Sequence, residues 1–323
     1  MVLNPLDMSE TTVSTYTTSW PVYSLSCAAQ SPFRLSLGSF VEEPSNKVEV
    51  VQLNESSHRF DLIATFDQVF PPTKVLWMPE NRELLATASD CLRLYETSPR
   101  PGLKTELPTV RDWKLSAPLT SMDWNRVDSR LIATSCIDTT CTVWDVLSES
   151  VVVQFVTHEN EVYDIAWAEG VDCFATVSAD GSAKRFDLRD PGTGLTLYES
   201  VSAYAPLLRV AWNYLNPVYL AVLAMDSGGI LVLDARGPPT PVYELMGHNS
   251  INALAWAPSA ADQVCTVGDD CQALIWTIGG EKPVNRVAYV AAAEIPAVQW
   301  TQQDWIAVAV NNTVQTAKVA TSA

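Results

Sequence analysis

The chain has 323 residues, 37 carboxylates against 20 lysines and arginines, and a formal net charge of -17. So negative a surface repels phosphate backbones and argues against direct nucleic-acid binding, while 47% hydrophobic residues supply a large core. No apolar run reaches the roughly 18 residues needed to span a membrane, and the start, Met1-Val2-Leu3-Asn4-Pro5-Leu6-Asp7, reads as no secretory leader.

In chain order, residues 1–9 are expected to be a disordered tail, and 10–323 a single repeat array. The run from Thr12 to Thr18 is β-branched and alternating, the pattern of a strand. Val22–Cys27 is the next strand, and it aligns with Val162–Trp167 so that Cys27 stands in a tryptophan position. The tryptophans follow at Trp77, Trp124, Trp167, Trp212, Trp256 and Trp300, with differences of 47, 43, 45, 44 and 44 residues. A period of about 40–45 residues is the length of one four-stranded propeller blade. Cys27 and the six tryptophans make seven units, so the fold class is all-β, a seven-bladed β-propeller of WD repeats.

The unit at 158–189 shows the grammar. Val162–Trp167 alternates as a first strand, Cys173–Ser178 is a small-residue second strand, and Asp180-Gly181 makes a tight turn. Ser182–Asp187 is the third strand and Leu195–Ser200 the fourth. Other third strands end at Trp144-Asp145, Leu233-Asp234 and Trp276-Thr277. The last unit has only three strands of its own, from Ala297 to Val319. The Thr12–Thr18 segment is therefore expected to complete the last blade and close the ring, removing free sheet edges.

Two histidines, His158 and His248, each precede a first strand, and Gly247-His248 is half of the WD signature. Structural contacts are expected from His158 to Asp180 and from His248 to Asp270, each reaching through the aspartate to the third-strand aromatic, Phe186 or Trp276. Asp138 and Trp144 are the corresponding pair of another blade. The histidines lie about 90 residues apart, too far in the array to share a metal or a catalytic centre. No phosphate loop, nucleophile elbow or metalloprotease pattern is present, so neither enzyme activity nor a cofactor is expected. Seven cysteines without any Cys-x-x-Cys, and the pair Cys136 and Cys141 by itself, do not make a zinc site. They read as reduced thiols in a cytosolic or nuclear protein.

Several strings go beyond a generic repeat, among them Phe33-Arg34-Leu35-Ser36-Leu37-Gly38-Ser39-Phe40-Val41-Glu42-Glu43, Ala117 through Asn125, Ile137 through Trp144, Leu207 through Asn213 and Asp269 through Trp276. In these the chain resembles the Transparent Testa Glabra / Light-regulated WD / Anthocyanin-eleven family of plants, with animal and fungal relatives, over about residues 20–311. The resemblance implies a non-enzymatic, monomeric scaffold in nucleus and cytoplasm. Its expected partners are basic helix-loop-helix and Myb-type transcription factors, protein kinases, or a cullin-4 ubiquitin ligase in which it is the substrate receptor. Cys27, a shortened 97–115 connection and the ending at Thr316-Ala317-Lys318-Val319 depart from the family pattern.

Two sets of candidate partner contacts follow. Phe186-Asp187-Leu188-Arg189 resembles the Trp-Asp-x-Arg box that docks some propellers onto the cullin-4 adaptor, and Leu233-Asp234-Ala235-Arg236 is a weaker copy. In the alternative, Asp187 and Asp234 cap turns while Arg189 and Arg236 lie on neighbouring blades. Glu159, Glu161, Asp180, Asp269 and Asp270 should share one face and steer basic or amphipathic segments toward it. Against that stands the simpler reading that the acids serve turn geometry and solubility.

Overall fold

The computed structural model describes residues 13–31, 33–54, 56–108, 117–200, 205–280 and 282–319, and all regular secondary structure among them is β-strand. The expected 1–9 tail and Thr12 lie outside the described residues. The strands form seven four-stranded antiparallel sheets, the blades of a propeller, each with consecutive strands except the last.

The inner strands, in blade order, are Val22–Cys27, Lys74–Met78, Leu119–Trp124, Val162–Trp167, Leu207–Trp212, Ile251–Trp256 and Ala297–Gln302. In blade 7 the strands Ala297–Gln302, Trp305–Val310 and Thr313–Lys318 are completed by Ser14–Thr17, which pairs antiparallel with Thr313–Thr316. Thr18 N and Val22 N donate to Asn312 O and Asn311 O, both at 2.8 Å, and lead the chain from that blade into blade 1. The ring is therefore closed by ladder hydrogen bonds between segments some 300 residues apart.

One register repeats around the ring. Trp77, Trp124, Trp167, Trp212, Trp256 and Trp300 face Leu85, Ile132, Phe174, Leu220, Val264 and Ile306 on the second strands, and Cys27 faces Leu35. The preceding residue in each blade faces a small one: Ala86, Ala133, Ala175, Ala221, Cys265, Ala307 or Ser36. With a side-chain period of two, this sends bulk to one face of every blade and leaves the other face narrow enough for its neighbour. Between blades 3 and 4, for example, Trp167, Phe174 and Phe186 pack with Ala133, Cys141 and Val143 in one buried cluster.

Most strand bounds agree with the sequence reading within one or two residues. The fourth strand of blade 4 differs: it runs Asp190–Glu199, since Asp187 pairs with Asp190 across a bulge and carries the hairpin further back than Leu195.

Candidate functional site

Local structure begins at the two histidines, whose side chains are fully buried. In blade 6, His248 Nδ1 lies 2.9 Å from Asp270 Oδ1, His248 Nε2 lies 2.8 Å from Thr266 Oγ1, and Trp276 Nε1 donates to the same hydroxyl at 2.8 Å. Blade 4 places His158 Nδ1 2.9 Å from Asp180 Oδ2 and His158 Nε2 2.8 Å from Thr176 Oγ1. Phe186 has no N–H to donate and only packs edge-on against His158. The chain of contacts thus runs Asp, His, Thr, Trp: threonine, and not aspartate, is the link to the third-strand aromatic. An imidazole presents its nitrogens on opposite sides, so one takes the carboxylate and the other the hydroxyl. Burial raises the Asp180 carboxyl, but bonds from His158 and Ser182 outweigh it and hold the group well below the usual carboxylate range.

Asp138 departs from that pattern. It caps its own turn, accepting from Thr140 N at 3.1 Å and Thr140 Oγ1 at 2.6 Å, while Trp144 Nε1 donates to Thr134 Oγ1 at 3.0 Å. Blade 2 replaces the histidine by Gln68, whose amide reaches Thr87 Oγ1 and Tyr95 Oη. Sequence reasoning passed over the threonines, although Thr134, Thr176 and Thr266 each stand ten residues before Trp144, Phe186 and Trp276.

The inner strands surround a central channel of about 900 Å3. A second periodic position, three residues before each tryptophan or Cys27, is Ser24, Lys74, Ser121, Asp164, Arg209, Ala253 and Ala297. In five blades the inner strand bulges just before that residue, which re-aims its side chain. Asp164 is the hub. Its Oδ1 accepts from Lys74 Nζ of blade 2 at 3.2 Å and from Ser121 Oγ of blade 3 at 2.5 Å, and its Oδ2 accepts from Val210 N of blade 5 at 3.0 Å. Burial raises the Asp164 carboxyl, yet the Lys74 and Arg209 charges and these bonds bring it below the ordinary value.

Asp123, two residues beyond Ser121, takes Trp167 N at 2.8 Å and Tyr214 Oη at 3.3 Å. Burial prevails over the Lys74 charge, raising this carboxyl. Among the described residues no group of three or more His, Cys, Asp or Glu side chains is arranged to hold a metal ion.

The two faces of the propeller differ in charge. The upper face, formed by blade-to-blade connections and the turns between second and third strands, carries Glu42, Glu43, Asp90, Asp138, Glu159, Glu161, Asp180, Asp226, Asp269, Asp270 and Glu294, eleven acids, and no lysine or arginine among the described residues. The described turns of the lower face hold six bases (Arg100, Arg126, Arg130, Arg189, Arg236 and Lys282) against seven acids (Glu80, Asp128, Glu149, Glu169, Asp172, Asp262 and Asp304). The negative charge of the described connecting turns is therefore concentrated on one side, and Glu159, Glu161, Asp180, Asp269 and Asp270 from the sequence reading are among its acids.

Asp187, Arg189, Asp234 and Arg236 lie on the lower face. Arg189 N donates to Asp187 Oδ1 at 2.9 Å, and the guanidinium Nε and Nη2 bond the same carboxylate at 2.9 and 2.5 Å. Arg236 repeats this more loosely on Asp234, at 3.5 Å. Both aspartates cap turns, as the alternative reading held, but the arginines do not lie on neighbouring blades: each side chain is 71% exposed. Asp128 and Arg130 form a third such unit, at 2.7 Å, that the sequence reading did not single out.

The WD domain, G-beta repeat family matches residues 149–187 and 239–277, each match running from the fourth strand of one blade through the third strand of the next. The chain is 43% identical to the "DDB1- and CUL4-associated factor 7 homolog" of Dictyostelium discoideum, over 97% of this chain and 100% of that protein. It is 31% identical to a WD repeat-containing protein of Saccharomyces cerevisiae, over 86% of this chain and 60% of that one. A WD repeat-containing protein of Schizosaccharomyces pombe is likewise 31% identical, over 84% of this chain and 70% of its own length.

Proposed function

The chain belongs to the WD-repeat protein family, and on that premise we propose that it is a non-catalytic scaffold that docks by its lower face onto the adaptor of a cullin-4 ubiquitin ligase and receives client proteins on its upper face. Two observations carry the docking half: the chain matches, over 97% of its length, a relative named for association with DDB1 and CUL4, and it exposes a built Asp187–Arg189 unit. The guanidinium is held in orientation by its own aspartate and still open to solvent, which suits it to a carboxylate or backbone carbonyl on a partner surface. The test is recovery of DDB1-type adaptor with the tagged chain from its own cells. Arg189→Glu combined with Arg236→Glu is expected to abolish that recovery while leaving the melting temperature within about 2 °C, as surface substitutions do. Full recovery with the double variant would remove the lower-face units from the docking.

A second reading is favoured by the eleven acids and no base among the described turns of the upper face. It is a scaffold for basic helix-loop-helix or Myb-type regulators, or for kinases, held through basic or amphipathic segments. Mass spectrometry of the same purified material separates the readings, because transcription factors or kinases without any cullin adaptor would favour this one.

A further inference from the structure

A small pocket of about 230 Å3 opens on the upper face where blades 1, 6 and 7 meet. It lies below the roughly 300–1,000 Å3 of a ligand cleft, and so is sized for one side chain and not for a cofactor. One wall is the aromatic pair Tyr23 and Phe40, with ring centroids 5.3 Å apart and planes tilted 41°. Both rings are exposed, Phe40 at 49%, although nothing in the fold requires two aromatics in water here.

The lining also includes Glu294 and Asn252. Asn252 donates to Asp269 Oδ1 at 2.8 Å and to Ile295 O at 3.2 Å, which places a second carboxylate beside the pocket. Glu294 is exposed and makes no hydrogen bond or ion pair among the described residues. Pro21 and Pro296 stiffen the two backbone segments that bring these residues together.

We propose that this pocket is a socket for a single arginine side chain of a partner's basic segment; the inference rests on the upper face being a protein-binding surface. A guanidinium is the one side-chain group that both stacks flat on an aromatic face and forks onto a carboxylate. Lysine offers a point charge with a large hydration shell, and an aliphatic anchor would leave Glu294 unpaired at the pocket wall. The socket takes its specificity from Tyr23 and Phe40 and its charge from Glu294, within a face whose described turns offer no base of their own to fill it.

The experiment compares fluorescein-labelled octa-arginine with octa-lysine by anisotropy, since the two carry equal charge and differ in the guanidinium. Octa-arginine is expected to bind about three- to tenfold more tightly, the range of an aromatic–guanidinium contact. Phe40→Ala and, separately, Glu294→Gln should each reduce that preference to less than about twofold, with octa-lysine affinity within about twofold of wild type. Both positions are exposed, and an unchanged melting curve for each variant shows that the fold is intact. Equal binding of the two peptides, or an arginine preference that survives both substitutions, overturns the socket while the acidic face stands. No binding of either peptide at low salt overturns the socket and the upper-face reading together.

Discussion

Lys74 of blade 2 and Asp164 of blade 4 meet across the channel, Nζ to Oδ1 at 3.2 Å, with Ser121 of the intervening blade on the same oxygen. Through Val210 N the carboxylate also holds blade 5, so one side chain ties four successive blades at their inner strands. The aspartate is almost wholly buried and the lysine about one third exposed, which leaves the lysine able to tolerate loss of its partner better than the reverse. Asp164→Asn is therefore expected to cost about 2–3 kcal/mol and Lys74→Met rather more, because the second change strands a buried carboxylate. Chemical denaturation of the two variants checks the order, and an Asp164→Asn protein as stable as wild type would mean the brace contributes nothing net.

Thr266 sits between His248 and Trp276 and satisfies both. Thr266→Val should cost about 2–3 kcal/mol, since it leaves two buried ring nitrogens unpaired. Trp276→Phe recreates what blade 4 already has in Phe186 and should cost less despite removing the larger side chain's N–H. If the tryptophan variant proves the weaker of the two, packing and not the hydroxyl link dominates this blade.

Acid should weaken the fold through Asp180 and Asp164. Each carboxyl is depressed in the folded chain, so its contribution is complete above the unfolded value of about 3.9 and is lost as pH falls through that value toward the folded one. Asp123, raised by burial, acts in the opposite sense and costs stability as pH rises above about 4. Melting temperatures from pH 6 to pH 3 should fall for the wild type and fall less steeply for Asp180→Asn. An unchanged slope in that variant would place the acid sensitivity elsewhere.

The client binding proposed for the upper face should weaken steeply between about 50 and 300 mM salt, because the attraction would be between exposed charges. Neutralising Glu159, Glu161 and Asp269 together should reduce the association rate more than it raises the dissociation rate. Surface plasmon resonance at two salt concentrations reads both, and salt-independent association would rule out electrostatic steering.

All seven cysteines are unbridged, and burial pushes the thiols of Cys27, Cys91, Cys136 and Cys141 up to about 12. Cys27, Cys173 and Cys271 are partly exposed and the other four are buried; Cys271 stands in a turn at φ 63°. Native labelling with a thiol reagent should therefore be confined to Cys27, Cys173 and Cys271, the four buried thiols reacting only on unfolding. Native labelling of a fourth thiol would contradict the buried positions.

The architecture was legible because the tryptophan spacing and the period-two alternation are local properties of a strand, and every blade repeats them. Closure by Ser14–Thr17 could be read too, since the last unit lacked a strand and only one β-branched segment was spare. The His158–Asp180 and His248–Asp270 geometries also follow from local spacing within a blade. The Lys74–Asp164 hub could not be read in that way: its partners are 90 residues apart, and only ring closure and the bulges at the inner strands aim them at one point. The same holds for the charge of the faces. A count of -17 names no side, and it is the alternation of turn direction from strand to strand that puts eleven of the described turn acids above and every described turn arginine below. Spacing along the chain thus determined what each blade is, while the circular packing of blades decided which distant side chains meet.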